Sequence, residues 1–232
     1  LKTEKALRSY GIKNSIHILP TGIDLAKFPR YKKDGPYLAA LRQRLGLANS
    51  TKVVLSLGRV SEEKSVDVII AQMEALSTRV GDIRLLVVGY GPYMAPLQRL
   101  ARDMGLEGCV QFVGRVPWEE VPYYYSLADV FVSASKTETQ GLTILEAMAC
   151  QVPVVVYEDD NVADLIRDGV SGRLFKTSEE LTRCLDSVLL DPEYAESLAV
   201  SGRLVAASLS TEKFGEMAEK LYLGLLEKTI EI

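Results

Sequence analysis

From Thr51 onward the chain alternates between short continuous apolar runs and longer stretches whose apolar residues recur every three or four positions. Val53-Val54-Leu55-Ser56-Leu57, Leu85-Leu86-Val87-Val88, Val110-Gln111-Phe112-Val113, Val130-Phe131-Val132-Ser133 and Val154-Val155-Val156 are such runs, with Gly172-Arg173-Leu174-Phe175 a shorter one. Their length and β-branched content predict strands buried on both faces. Between them, Val66, Ile69, Ile70, Met73 and Leu76 share one face of a predicted helix. Further helices are predicted toward Met104, from Trp118 to Leu127, from Gly141, and from Asn161 to Ile166; Pro96 leaves the start of the first of these undefined. Apolar strands alternating with amphipathic helices across short loops predict an α/β fold. It is a doubly wound, Rossmann-like parallel sheet, with ligands at the carboxyl ends of its strands.

The flanks read differently. Leu1 to Lys13 predicts a short charged helix ended by Gly11, Ile16-His17-Ile18-Leu19 a short strand, and Pro20 to Asp24 a turn-rich connector. A basic loop, Pro29 to Pro36, leads into a helix from Tyr37 to Leu45 closed by Gly46. After Ser178 the pattern is helical: Leu181 to Leu190, Pro192 to about Ser208 and Thr211 to Lys228. Phe214, Met217, Leu221 and Leu225 form a stripe on the last helix that needs something to pack on.

Composition adds bounds. The 232 residues are 47% apolar and 25% charged, with a net charge of −4, so nothing electrostatic argues for nucleic acid. Cys109, Cys150 and Cys184 are far apart and odd in number, which predicts neither a disulfide framework nor a metal site and fits a reducing cytoplasm. No apolar run approaches membrane-spanning length and no signal peptide is visible. The first residue is Leu1, already inside a helix-like stretch, which suggests a part of something longer.

The chemistry gathers in Ser133 to Cys150, SASKTETQGLTILEAMAC. It predicts a strand, a polar loop and a helix N-terminus at Gly141, an arrangement whose free N–H groups and dipole favour an anion. Glu138 and Glu146 frame it. Carboxylates repel an anion, so their useful task there is to accept hydrogen bonds from hydroxyls. A phosphate ligand with a diol at each end, such as a nucleotide-sugar, meets both demands. The alternative is that Glu138 merely favours the dipole, worth roughly 0.3–1 kcal/mol, while Glu146 lies on a solvated face.

Other loops follow predicted strands. In Gly58-Arg59-Val60-Ser61-Glu62-Glu63-Lys64 the cations either grip phosphate or pair with Glu62 and Glu63. Gly89-Tyr90-Gly91-Pro92 lacks the rest of a dinucleotide fingerprint, so its glycines are expected to allow a tight turn. A nucleobase lying against Phe112-Val113-Gly114-Arg115-Val116-Pro117 is weighed against an ordinary strand-end turn. His17 is the only histidine and is expected to be structural, which leaves no histidine-based triad or metal site. Asp159 and Asp160 read as a loop and an N-cap region.

Together, HILPTGIDLAKF at 17–28, GRVSEEK at 58–64, VVGYGP at 87–92, FVGRVPWEEVPYYYSLADVFVSAS at 112–135 and ETQGLTILEAMA at 138–149 resemble the retaining glycosyltransferases called group 1 or family 4, of two-domain GT-B architecture. The resemblance implies a donor-binding C-terminal half. Residues 1–24 would be a remnant of an N-terminal domain plus the interdomain connector. Residues 25–208 would form the Rossmann-like nucleotide-sugar-binding domain, and 209–232 a C-terminal helix packing toward the N-terminal domain. It also implies that Arg59 and Lys64 hold the donor diphosphate, and that Glu138 bonds the transferred sugar. Backbone amides at Gly141, Leu142 and Thr143 would meet phosphate and sugar oxygens, and Glu146 the ribose diol. Gly58, Arg115 and Val116 complete the implied donor site, with Glu138, Arg59 and Lys64 as its catalytic members and neither metal nor cofactor. Ser65 stands where the family often has Gly, and Asp159-Asp160-Asn161 replaces a glycine-containing turn.

ASKTETQGLT is similar to bacterial enzymes that glucosylate diacylglycerol, implying a UDP-glucose donor, a membrane-lipid acceptor and peripheral contact with the inner face of the cell membrane. The acceptor domain would lie outside these residues, so this stretch alone is expected to be inactive. Alternatives are polysaccharide assembly, a binding-only domain, an epimerase, and a phosphorylase, which would need a lysine-bound pyridoxal cofactor.

Overall fold

The side chains of the central strands alternate between two apolar layers, which is why each run is apolar throughout. In the computed structural model, which describes residues 2–230, six strands form one parallel sheet. They are β1 (Lys52–Leu57), β2 (Ile83–Val88), β3 (Val110–Gly114), β4 (Val130–Ser133), β5 (Val154–Tyr157) and β6 (Arg173–Phe175), in the order β3-β2-β1-β4-β5-β6. Val53, Leu55, Leu86, Val88, Phe131, Val154 and Val156 face one layer. Val54, Leu85, Val87, Val130, Val132 and Val155 face the other. That is the period-two alternation of a strand with both faces buried.

Eleven helices are assigned among the described residues: α1 (Lys2–Ser9), α2 (Pro36–Arg44), α3 (Val66–Ile70), α4 (Met73–Val80), α5 (Met94–Asp103), α6 (Val121–Leu127), α7 (Leu142–Ala149), α8 (Asp160–Ala163), α9 (Ser178–Leu189), α10 (Pro192–Ser208) and α11 (Thr211–Ile230). The first layer is covered by α2, α6 and α7 through Leu41, Tyr124, Tyr125, Ile144 and Met148. The second is covered by α3, α4, α5 and α9 through Ile69, Met73, Leu76, Leu97, Leu181 and Leu185. Each fully buried aliphatic side chain contributes about 1.5–3 kcal/mol relative to exposure. Pro96 falls in the first turn of α5, where its missing N–H has no intrahelical partner to lose.

Four expectations are corrected. The helix through Val66–Leu76 is broken at Ala71-Gln72, where Gln72 N reaches only to Ile69 O at 3.1 Å and its side-chain amide donates to Val68 O. The helix after β5 ends at Ala163. The side chains of Asp160 and Asn161 lie outside the described residues; Asp159 Oδ1 accepts from Val162 N at 3.0 Å, as an N-cap does. Residues 16–19 form no strand, because they join no edge of the sheet. The connector pairs just beyond them, where Ile23 N donates to Leu209 O at 2.8 Å and Thr211 N to Ile23 O at 3.0 Å. Last, the Gly-x-Gly after β2 does more than tighten a turn, as the site shows.

Ser65 sits between a single 3-10 turn, Glu62–Lys64, and α3 at φ 48°, ψ 41°. That left-handed conformation costs a non-glycine residue about 1–2 kcal/mol, more than the ~0.5–1 kcal/mol entropic cost of glycine. Ser65→Gly is therefore expected to raise Tm by roughly 2–4 °C. An unchanged or lower melting temperature in calorimetry would contradict the strain.

Candidate functional site

From β1 the chain moves outward to β2 and β3, then returns to place β4 on the other side of β1. The loops after β1 and β4 diverge and leave a crevice at the carboxyl ends, the switch point where this fold binds ligands. A cleft of about 270 Å³ lies there, lined by Gly58, Arg59 and Lys64 after β1, the ends of β2 and β4, and Glu138, Gly141, Leu142 and Thr143. A larger hollow of about 530 Å³ opens at the opposite, amino ends, beside Lys52, Asp129 and Pro153. There Lys33 pairs with Asp129 at 2.6 Å and Arg30 with Glu196 at 2.7 Å, so the main cations brace the loop after Pro29. Convergent polar groups favour the smaller cleft as the site.

Its floor is a backbone ladder that continues past the strands. Gly58 N donates to Val88 O at 3.0 Å, Val60 N to Tyr90 O at 3.1 Å and Gly89 N to Gly114 O at 2.8 Å. A Cβ at Gly89 would lie 1.8 Å from Gly58 O, and one at Gly91 2.1 Å from Val60 O. The glycines thus let neighbouring loops touch. Arg115 is exposed and its guanidinium lies 5.7 Å from the centre of the Tyr90 ring, while Val116 packs against the first apolar layer. Neither lines the cleft.

Glu138 is only 8% exposed, and its Oε1 accepts from Lys64 Nζ at 2.7 Å. Lys64 therefore reaches across to the α7 loop instead of pairing with Glu62 or Glu63; Glu63 accepts from Ser61 Oγ at 3.2 Å. Arg59 is exposed at the rim. Gly141, at φ 63°, starts α7 without a side-chain cap, and its carbonyl accepts from Ile144 and Leu145. Among the described residues, the N–H groups of Gly141, Leu142 and Thr143 have no acceptor. They are donors at the positive end of a helix, between a guanidinium, an ammonium and a buried carboxylate.

Glu146 is one turn further along α7 and does not line the cleft. It is half-buried, and its Oε2 accepts from the hydroxyl of fully buried Tyr125 at 2.8 Å, so it does not lie on a solvated face. Burial pushes the Glu146 carboxyl above its ordinary range, and the Tyr125 hydroxyl offsets part of that. Burial, then the neighbouring Glu146, hold the Tyr125 hydroxyl well above its usual value, so it stays a donor. Nothing in the sequence marked Tyr125: within Tyr123-Tyr124-Tyr125 it reads as core, and only the packing of α6 on α7 reveals its partner.

A carboxyl whose pKa is raised on folding stabilises the fold below its unfolded value and loses that contribution as pH rises through the folded value. Glu146→Gln removes this loss. Its Tm is expected to exceed wild type by a few degrees at pH 8, with the gap closing near pH 4. A variant less stable than wild type at pH 8 would contradict it.

His17 is exposed beside α11. Cys109 is half-buried, Cys150 and Cys184 are buried, and all are free thiols; burial pushes Cys150 up to about 12. No group of three or more His, Cys, Asp or Glu among the described residues is placed to hold a metal, and no described helix is long and apolar enough to cross a membrane.

Against known proteins, the family model described as Glycosyl transferases group 1 matches residues 39–205. The alpha-monoglucosyldiacylglycerol synthase of Streptococcus pneumoniae is 34% identical over 95% of this chain and 49% of its own length. A GDP-mannose-dependent alpha-(1-6)-phosphatidylinositol monomannoside mannosyltransferase of Mycolicibacterium smegmatis is 33% identical over 84% of this chain and 52% of its own. Among solved structures, Anabaena HepE in complex with UDP-glucose superposes with a TM-score of 0.75 at 25% identity, covering 87% of this chain and 56% of that one. This chain thus spans about half the length of the relatives it matches, and its sheet is of the kind found in GT-B glycosyltransferases. On the family model and this identity, it belongs to the group 1 glycosyl transferases.

Proposed function

We propose that this chain is the donor-binding half of a hexosyltransferase that moves glucose from UDP-glucose to a lipid acceptor such as diacylglycerol. One observation carries it: at the switch point, Arg59, Lys64, buried Glu138 and the open amides of α7 converge on one cleft. Arg59 and Lys64 grip the diphosphate, with the Gly141, Leu142 and Thr143 amides as further donors, and these groups stabilise the charge that develops as it leaves. Glu138, anchored beside Lys64, accepts the hydroxyls of the transferred sugar. Gly58 allows close approach of the loop; the base and ribose then extend beyond the cleft, toward the strand-end turn at Arg115 and Val116 and toward Glu146. The donor is then a substrate, held without metal or further cofactor. Glucose and a lipid are supported by the name of the pneumococcal relative, and UDP by the ligand of the Anabaena structure.

Acceptor binding belongs to the N-terminal partner domain, against which residues 1–24 and the apolar stripe of α11 would pack. Met217 and Leu225 on that stripe are exposed alongside Ile18. A lipid acceptor would bring the whole protein to the inner face of the membrane as a peripheral protein. The test is a thermal-shift and calorimetric panel of UDP, GDP, ADP and their sugars against this chain, since a ligand of the native state raises its apparent stability. UDP and UDP-glucose are expected to give the largest shifts, lost in Arg59→Ala, with little or no sugar turnover by these residues alone. A preference for GDP would replace the donor, and no shift with any nucleotide would end the proposal.

A further inference from the structure

We infer that Tyr125 is a positioning residue for the nucleotide's ribose: its hydroxyl fixes the Glu146 carboxylate and leaves the second oxygen to accept ribose hydroxyls. This rests on the reading of the cleft as a nucleotide-sugar site. The geometry is that of a rigid donor behind a mobile acceptor. Tyr125 is fully buried on α6, its ring 6.4 Å from Phe28 and 5.7 Å from Phe131, edge-on or tilted to each. The hydroxyl has one proton and two acceptors in reach, Glu146 Oε2 at 2.8 Å and Thr143 O at 3.2 Å. The shorter, charge-assisted bond takes the proton. Nothing else among the described residues donates to Glu146, so Tyr125 alone sets the orientation of that carboxylate.

A glutamate has three rotatable side-chain bonds, and a ligand that orders it loses affinity in doing so. Tyr125 removes that loss before the ligand arrives. Thr143, whose carbonyl also lies within reach of the Tyr125 hydroxyl, lines the cleft, so the ribose acceptor is held on the same helix as the proposed phosphate donors. The tyrosine touches neither phosphate nor sugar in this arrangement, and its effect runs through Glu146.

The experiment is calorimetry on the purified chain with UDP, 2′-deoxy-UDP and 3′-deoxy-UDP, or the guanosine series should the site prefer GDP. Proteins compared are wild type, Tyr125→Phe, Glu146→Ala and the double variant, each checked for a cooperative melt. The expected result is a loss of about five- to tenfold in UDP affinity for Tyr125→Phe. The deoxy analogue lacking the bonded hydroxyl should change by less than about twofold, and Tyr125→Phe should add nothing to Glu146→Ala, as a shared interaction requires. Equal losses for UDP and both deoxy analogues would mark Tyr125 as merely structural and overturn the inference. So would unchanged UDP binding, or a further loss in the double variant. If the wild type binds no nucleotide, the reading of the cleft fails first, a result distinct from the others because it appears before any substitution is made.

Discussion

Lys64→Ala in the full-length transferase is expected to lower kcat by about two to three orders of magnitude, the range for loss of one preorganised group that stabilises developing charge. Lys64 sits on the 3-10 turn after β1, yet its ammonium lies 2.7 Å from Glu138, a carboxylate 8% exposed on the loop before α7. It therefore faces two demands in one place. It neutralises a buried acid, which in the proposed site holds sugar hydroxyls, and there it would also offer a point charge to the departing diphosphate. Removing it sets Glu138 and the diphosphate against each other with less between them. The same change should lower Tm, because a buried ion pair that loses one member leaves a charge in a poor solvent. Lys64→Ala combined with Glu138→Gln should recover much of the stability and none of the activity. That contrast separates a structural ion pair from a working one. Steady-state rates within threefold of wild type for Lys64→Ala would remove it from the mechanism.

The strands and the order of loops were legible because both faces of the sheet are buried: runs such as Val53–Leu57 cannot be read as a half-exposed strand or a surface helix. Gly58, Arg59, Lys64, Glu138, Gly141, Leu142 and Thr143 could be tied to strand ends for the same reason, and the fold brings all seven to one cleft. What stayed hidden were partners. Lys64 has two glutamates as near neighbours in sequence, yet it bonds one 74 residues away, because the switch point sets the loops after β1 and β4 side by side. Spacing along a chain carries no trace of that. Tyr125 was hidden for a related reason, since a buried tyrosine advertises its ring and not the acceptor of its hydroxyl. The run at 16–19 misled because β-branched content predicts a preference, while a strand also needs a neighbour with open backbone groups.

The largest loss of stability is expected at Gly89, with Gly89→Ala lowering the free energy of unfolding by about 3 kcal/mol or more, equivalent to roughly 6–12 °C in Tm. The backbone there has φ 132°, outside the range of L side chains, and an added methyl would lie 1.8 Å from Gly58 O and 2.9 Å from Gly58 C. Both obstacles are backbone, so no rotamer change can relieve them. Either β1 and β2 part at their carboxyl ends, or the loop carrying Arg59 and Lys64 moves. The site should therefore suffer along with the fold, and nucleotide affinity should fall more than tenfold at temperatures where the variant is still folded. Two other glycines separate the causes. Gly105→Ala has φ 68° with nothing within 4 Å, so it carries strain alone, about 1–2 kcal/mol. Gly91→Ala has no positive φ but meets Val60 O at 2.1 Å, so it carries overlap alone. Nucleotide binding should be spared at Gly105 and reduced at Gly91. If Gly105→Ala harms the cleft as much as Gly89→Ala does, the effect is general destabilisation and the glycine ladder does not position the cations.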